Sequence, residues 1–276
     1  MDQVPHKQKT ALITGAAGGL GVYTASDRVS TSSVHNPEAY GYLGRAIAEQ
    51  FLLEGANVVV CDINQELIAD FKDKVSAAYP ECTLVLKTDI TDEAALDSMF
   101  EEAEKTFGKI DYVVNSAGMM DRFDPAGELE RAMWDRVIAL NLTAPTMVTK
   151  RAVNLMLKHE AKGSIVNIAS VAAFRGFCSG AAYTGLTKNT AVFYGPKGIR
   201  CNAIMAGGMQ TNIFKPFMET GINMEGMAIM QKTFPQDGFA YIELEKVAKL
   251  VTYLCGDSGS IVNGACWTAD GGVTAN

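Results

Sequence analysis

The sequence predicts a doubly wound α/β fold: a single domain built on a parallel sheet. Three observations carry that expectation. Short runs of apolar, β-branched residues alternate along the chain with segments of helical period. The runs are continuously apolar, as strands covered on both faces require. A glycine loop follows directly on the first run, Thr14-Gly15-Ala16-Ala17-Gly18-Gly19-Leu20-Gly21.

Seven strands are expected, at Thr10–Thr14, 56–62, 83–89, 110–115, Gly163–Ser170, 198–204 and 265–269. The first, TALIT, runs into the glycine loop. ANVVVCD ends on Asp62 and TLVLKTD on Asp89. IDYVVN ends on Asn115 and is followed by Ser116-Ala117-Gly118, while GSIVNIAS ends on Ser170. GIRCNAI and ACWTA complete the series. Helical spacing falls between them at 45–54, Glu93–Phe107, 129–158 and 243–254. Thr91 and Asp92 stand as cap candidates before the second of these. There is no long linker and no internal repeat.

Two stretches break the pattern. Residues 22–44 are polar and serine-rich, and they separate the glycine loop from the helix expected at 45–54. Residues 205–234 are methionine-rich and irregular; they read either as a mobile apolar lid over a substrate or as plain core helices.

Composition narrows the function. A chain of 276 residues, 48% hydrophobic and 20% charged, suits one globular domain with a large core. A net charge of −7 without a basic cluster argues against nucleic acid. No apolar window reaches membrane-spanning length, and the polar N-terminus predicts no signal peptide, so a cytoplasmic protein is expected. Cysteines 61, 82, 178, 201, 255 and 266 form no CxxC pair, and His6, His35 and His159 lie far apart. Free thiols and no metal site follow.

The strand ends carry the chemistry. A glycine loop between a strand and a helix lets the backbone approach a pyrophosphate at the helix N-terminus, which assigns Gly15, Gly19, Leu20 and Gly21. Asp62, ending the second strand, can bind both hydroxyls of an adenosine ribose. Asp89 can hold the adenine amino group. Asn115, Ala117 and Gly118 end the fourth strand beside the cofactor. Each alone could be a turn glycine or a strand-end cap; in order at successive strand ends they point to a dinucleotide. Asp62 would repel a 2′-phosphate, and Ile63-Asn64 offers no arginine to receive one. NAD is therefore expected, with NADP as the alternative.

With these motifs, and with Ser170 standing thirteen residues before Tyr183, the chain resembles the classical short-chain dehydrogenase/reductase family, whose fold is Rossmann-type. The resemblance runs from Thr10 to Thr268-Ala269-Asp270-Gly271-Gly272. It implies hydride transfer between NAD(P) and a secondary alcohol or ketone, apolar to suit the Met- and Phe-rich 205–234 segment. Tyr183 would be the general acid/base, Ser170 would orient the carbonyl or hydroxyl, and Asn141 would hold a proton-relay water. Met209 and Thr211 would meet the nicotinamide amide. A homo-dimer or homo-tetramer pairing the helices of Asn141 and Tyr183 is implied as well.

The chain departs from that family in three places. The family's lysine, four residues after the tyrosine, lowers the tyrosine's pKa from about 10. Here position 187 is Thr, and Lys188 is turned roughly 140° from Tyr183 on a regular helix. About seven residues, or ~10 Å of helix, are missing between Thr184 and Gly185 relative to the family pattern. Second, 22–44 is an insert of 23 residues, removal of which restores the family's loop-to-helix join. It reads as a retained short intron, as a helix starting near Asn36-Pro37-Glu38, or as a loop that bulges out. Third, Ala206-Gly207-Gly208 stands where the family often has Pro-Gly. Two further readings stay open: a catalytically silent dinucleotide-binding protein, and a nonfunctional product of faulty splicing.

Overall fold

A computed structural model of the chain describes residues 4–17, 42–125, 127–173, 181–209, 211, 221–233 and 241–275, with backbone alone at 173, 181–183 and 229–233. The strands are β1 (Thr10–Thr14), β2 (Asn57–Asp62), β3 (Thr83–Lys87), β4 (Tyr112–Asn115), β5 (Gly163–Ser170), β6 (Ile199–Ala206) and β7 (Cys266–Ala269). They form one sheet in the order β3-β2-β1-β4-β5-β6-β7, and every pairing is parallel. The chain winds outward from β1 to β3 and then returns to β4, beside β1. That reversal opens a crevice at the carboxyl ends of β1 and β4.

Both faces of the sheet are covered, which is why its strands lack alternation. Ala11, Ile13, Val58 and Val60 pack on α1 (Leu43–Leu53) and α8 (Leu244–Cys255). Leu12, Val59 and Cys61, pointing the other way, pack on α3 (Glu93–Phe107) and α5 (Ala144–Lys158). The α3 helix starts where expected because Asp92 accepts from the Ala94 and Ala95 N–H groups at 2.8 and 3.2 Å.

Several boundaries differ from the sequence reading. α2 (Gln65–Phe71) was not expected, though Asn64 caps it by accepting from Glu66 N and Leu67 N. The helix expected over 129–158 is two helices, α4 (Arg131–Ile138) and α5, joined by a π-helical turn at Ala139–Thr143. Pro145 explains the break: it has no N–H to give the Asn141 carbonyl, so the helix widens there. β3 stops at Lys87, short of Asp89. α1 starts at Leu43, not at 45, so the expected insert 22–44 loses Leu43 and Gly44 to a buried helix start; the helix start expected near Asn36 lies outside the described residues. The rest of the insert up to 41 lies outside the described residues, as do 210, 212–220 and 234 of the 205–234 segment. Of that segment, Met205 and Ala206 are buried in β6, and Met224–Thr233 forms α7. The other helix, α6 (Ala181–Tyr194), crosses from β5 to β6. Among the described residues no helix is long and apolar enough to cross a membrane.

The N-terminal segment is fastened beneath the sheet through His6, which is 2% exposed. Its Nε2 lies 3.0 Å from Glu54 Oε2, and its Nδ1 lies 3.3 Å from the Tyr112 hydroxyl. Burial lowers the His6 pKa; the Glu54 carboxylate and other neighbours oppose that shift without cancelling it. A base with a depressed folded pKa binds fewer protons folded than unfolded. Its contribution to stability is therefore intact above about pH 6.5 and is lost as the pH falls toward the lowered value. The thermal midpoint should drop between about pH 7.5 and 5.5. His6→Gln should flatten that slope, and an unchanged slope in the variant would remove His6 as its cause.

Candidate active site

The site is built on the carboxyl edge of β1, β4 and β5. Gly15 leaves β1 with φ +67°, and its N–H donates to the Cys61 carbonyl at 2.9 Å. A Cβ on Gly15 would sit 2.8 Å from Ala117 Cα, and one on Gly44 would sit 2.6 Å from Gly15 O. The first helix turn, the glycine loop and the end of β4 thus interlock backbone to backbone, a packing that only glycine permits. Thr14 adds to it by accepting from Ser116 N and Ala117 N, each at 3.1 Å. The first turn of α1 carries neither a side-chain cap from Tyr42, which precedes it, nor an acid of its own, as a helix end suited to an anion would.

Gly44 was assigned to the insert, whereas Gly19, Leu20 and Gly21, assigned to the loop, lie outside the described residues. The signal for Gly44 was present, since Leu-Gly occurs twice, at Leu20-Gly21 and Leu43-Gly44. The same 23-residue insert can be bounded as 20–42. Only packing separates the two boundings, and the contact of Gly44 with Gly15 selects Leu43-Gly44 as the pair joined to the helix.

Asp62 ends β2 beside this loop. Its carboxylate accepts from Asn64 N at 3.0 Å. Burial pushes the carboxyl above its ordinary range, and backbone donors at Asn64, Ala17 and Ile63 oppose the rise. Asp89 is exposed beyond β3 and already accepts from Thr91 N (2.9 Å) and Thr91 Oγ1 (2.7 Å). These residues fit a dinucleotide: a glycine cradle with no room for Cβ atoms, and a carboxylate at the adjacent strand end.

Asn115 turns into the protein. Its Nδ2 donates to Asn167 Oδ1 (2.8 Å) and Thr149 Oγ1 (3.3 Å), tying β4 to β5 and α5. Its buried Oδ1 has no hydrogen-bond partner. Gly118 approaches Asn141, and Asn141 is engaged at both ends of its amide. Oδ1 accepts from Met119 N at 2.9 Å, and Nδ2 donates to Met119 O at 2.7 Å. The Asn141 side chain therefore fixes the loop after β4.

Ser170 ends β5, with Oγ accepting from Ala172 N at 3.1 Å. Met209 is half-buried against the α1 and α8 core, and Thr211 is half-buried after β6. Tyr183 is described by its backbone alone, in the first turn of α6. Further along that helix, Thr187 is fully buried and accepts from Asn167 Nδ2 at 2.9 Å. Lys188 is exposed. Burial pushes the Cys266 thiol up, and the Lys188 ammonium partly offsets this.

The Thr187–Asn167 bond fixes the level of α6 against the sheet. Toward its N-terminus the helix rises to Tyr183 by about 6 Å. From Asn167, β5 rises to Ser170 by about 10 Å. With α6 antiparallel to β5, these rises differ by about 4 Å between the Tyr183 and Ser170 backbones.

Known proteins share this architecture. A family model described as enoyl-(acyl carrier protein) reductase matches residues 41–274. The chain is 40% identical over 277 residues to a short chain dehydrogenase/reductase, dpchG, of Colletotrichum higginsianum, covering 97% of this chain and 94% of that protein. It is 31% identical over 278 residues to 3beta-hydroxysteroid dehydrogenase 2 of Eggerthella lenta, covering 97% and 95% respectively. Among solved structures, levodione reductase superposes with a TM-score of 0.79 at 27% identity over 98% of each chain.

Proposed function

The chain belongs to the classical short-chain dehydrogenase/reductase family, and from that premise we propose an NAD(H)-linked oxidoreductase interconverting an apolar secondary alcohol and its ketone. The interlocked Gly15, Gly44 and Ala117 backbones beside the Asp62 carboxylate carry the reading. Gly15, Gly44, Asp62, Asp89, Ala117 and Gly118 would hold the dinucleotide, with Met209 and Thr211 at its nicotinamide end. Bound there, the nicotinamide supplies or accepts the hydride. Ser170 holds the substrate oxygen by hydrogen bonding, and Tyr183 is the group assigned to exchange its proton. Similarity to a hydroxysteroid dehydrogenase and to levodione reductase supports an apolar alcohol or ketone as substrate.

Thr187 and Lys188 favour a second reading, in which binding persists and turnover does not. The lysine position is filled by a buried threonine, and the next residue, Lys188, is exposed. A phenol with no cation beside it keeps a pKa of about 10 and is a poor base at neutral pH.

Cofactor choice tests the binding half of the proposal. NADH should bind at least about tenfold more tightly than NADPH, a difference of ~1.4 kcal/mol, because a 2′-phosphate would meet the Asp62 carboxylate. Asp62→Ala should narrow that gap in a fluorescence titration. Tighter binding of NADPH to the unaltered chain would overturn the assignment.

A further inference from the structure

The loop after β4 and the start of α7 are far apart in sequence yet interlocked. Asn223 joins them. Its backbone N–H donates to Arg122 O at 3.0 Å. Its side-chain Nδ2 donates to Glu128 Oε2 at 3.0 Å and reaches Asp124 Oδ1 at 3.5 Å. Its Oδ1 accepts from Gly226 N at 2.9 Å and so caps α7. Its backbone N–H and Nδ2 thus serve the junction, while Oδ1 and the backbone carbonyl, which accepts from Met227 N at 2.9 Å, serve the helix.

The backbones also touch. Phe123 is a non-glycine residue at φ +61°, held by its N–H donating to Asp121 Oδ1 at 3.0 Å. In that conformation its carbonyl reaches Gly226, where an added Cβ would lie 2.0 Å from Phe123 O. Conformations of this kind are strained and persist where the surroundings over-determine them. Arg122 balances the local acids through Asp124 (3.1 Å) and Glu130 (3.3 Å). Beneath the junction lies a small apolar cluster separate from the main core, in which Met119, Met120 and Ile222 pack on Met133 and Val137. Met119 is in turn the residue that Asn141 grips at both backbone atoms.

We propose that Asn223 is a positioning residue: it fastens α7 to the loop after β4, so that this apolar cluster and the Met119–Asn141 contact form one substrate-side wall. The assignment of that wall to an apolar substrate rests on the oxidoreductase reading. The fastening itself does not, and amide exchange separates the two.

The test compares hydrogen exchange in the unaltered chain, Asn223→Ala and Asn223→Asp. Asn223→Asp keeps an acceptor for Gly226 N but sets a carboxylate against Glu128 and Asp124. Both variants should speed exchange over residues 119–124 by about tenfold, while only Asn223→Ala speeds it in α7. Exchange that rises only in α7, or not at all in Asn223→Asp, means that Asn223 is a helix cap and nothing more. If Asn223→Ala fails to fold, the Asn223→Asp comparison alone decides. In the same variants levodione should bind the NADH-loaded protein about tenfold more weakly, with NADH affinity unchanged. Faster exchange at 119–124 with levodione binding unaffected would leave the fastening standing and overturn the wall as a substrate contact. Failure of NADH to bind the unaltered chain would count against the oxidoreductase reading and leave the exchange result intact.

Discussion

Inserting seven residues between Thr184 and Gly185, with lysine third among them, is expected to raise ketone reduction by about 10²–10⁴-fold, the usual span of a general acid–base contribution. The geometry sets the length. Seven residues advance a helix by about two turns, so the face carrying Thr187 keeps its direction while the upstream segment moves by ~10 Å. The new lysine would stand four residues after Tyr183 and seven before Thr187. Seven residues of helix rise about as far as Ser170 stands above Asn167 on β5. The cation then lies level with Ser170 and on the face shared with Tyr183. The same insertion with alanine for lysine restores the helix length without the charge, and it should recover little activity. Equal gains from both would show that length, not charge, was missing.

Gly44→Ala is expected to weaken NADH binding by roughly ten- to a hundredfold, since overpacking a tight contact costs about 1–3 kcal/mol. The added Cβ would lie 2.6 Å from Gly15 O, and that atom belongs to the backbone, which cannot rotate aside. Helix α1 must retreat from the loop, and its N-terminal N–H groups retreat with it. Deleting 20–42 yields the same chain as deleting 22–44 and keeps one Leu-Gly pair at the join. That shortened chain should fold and bind NADH at least as well. Retained affinity in Gly44→Ala, together with loss in Gly21→Ala, would return the loop to Gly21.

Most of the fold was legible because burial on both faces leaves a plain mark. Thr10–Thr14 and Gly163–Ser170 were bounded correctly by their apolar runs alone. Asp92 and the spacing after it bounded α3. The failures have local causes. The break at Ala139–Thr143 was signalled by Pro145, yet the apolar period continues across it, and periodicity outweighed the missing N–H. α2 is only seven residues long, too short for a clear period, and its evidence was the cap at Asn64. Strand ends at Lys87 and Ala206 depend on pairing with neighbours, which composition does not encode.

The candidate site was legible as residue types in order, less so as contacts. Ser170 and Asp62 end their strands, as their motifs implied, while Ala117 and Gly118 lie just beyond the end of β4 at Asn115. The Asn115 Nδ2 and both ends of the Asn141 amide go to protein partners, which no spacing could reveal. The repeated Leu-Gly pair made the insert's boundary degenerate, and only the packing of Gly44 on Gly15 resolved it.

The central claim is that the chain binds a dinucleotide at Gly15, Gly44 and Asp62 while threonine, not lysine, stands four residues after Tyr183. Stopped-flow mixing of the unaltered chain with NADH and levodione tests both halves in one sample. NADH fluorescence should report saturable binding, while NADH absorbance falls at least about a hundredfold more slowly than with the lengthened, lysine-bearing chain. Ordinary turnover by the unaltered chain, abolished by Lys188→Ala, would contradict the account and place Lys188 at the reacting centre.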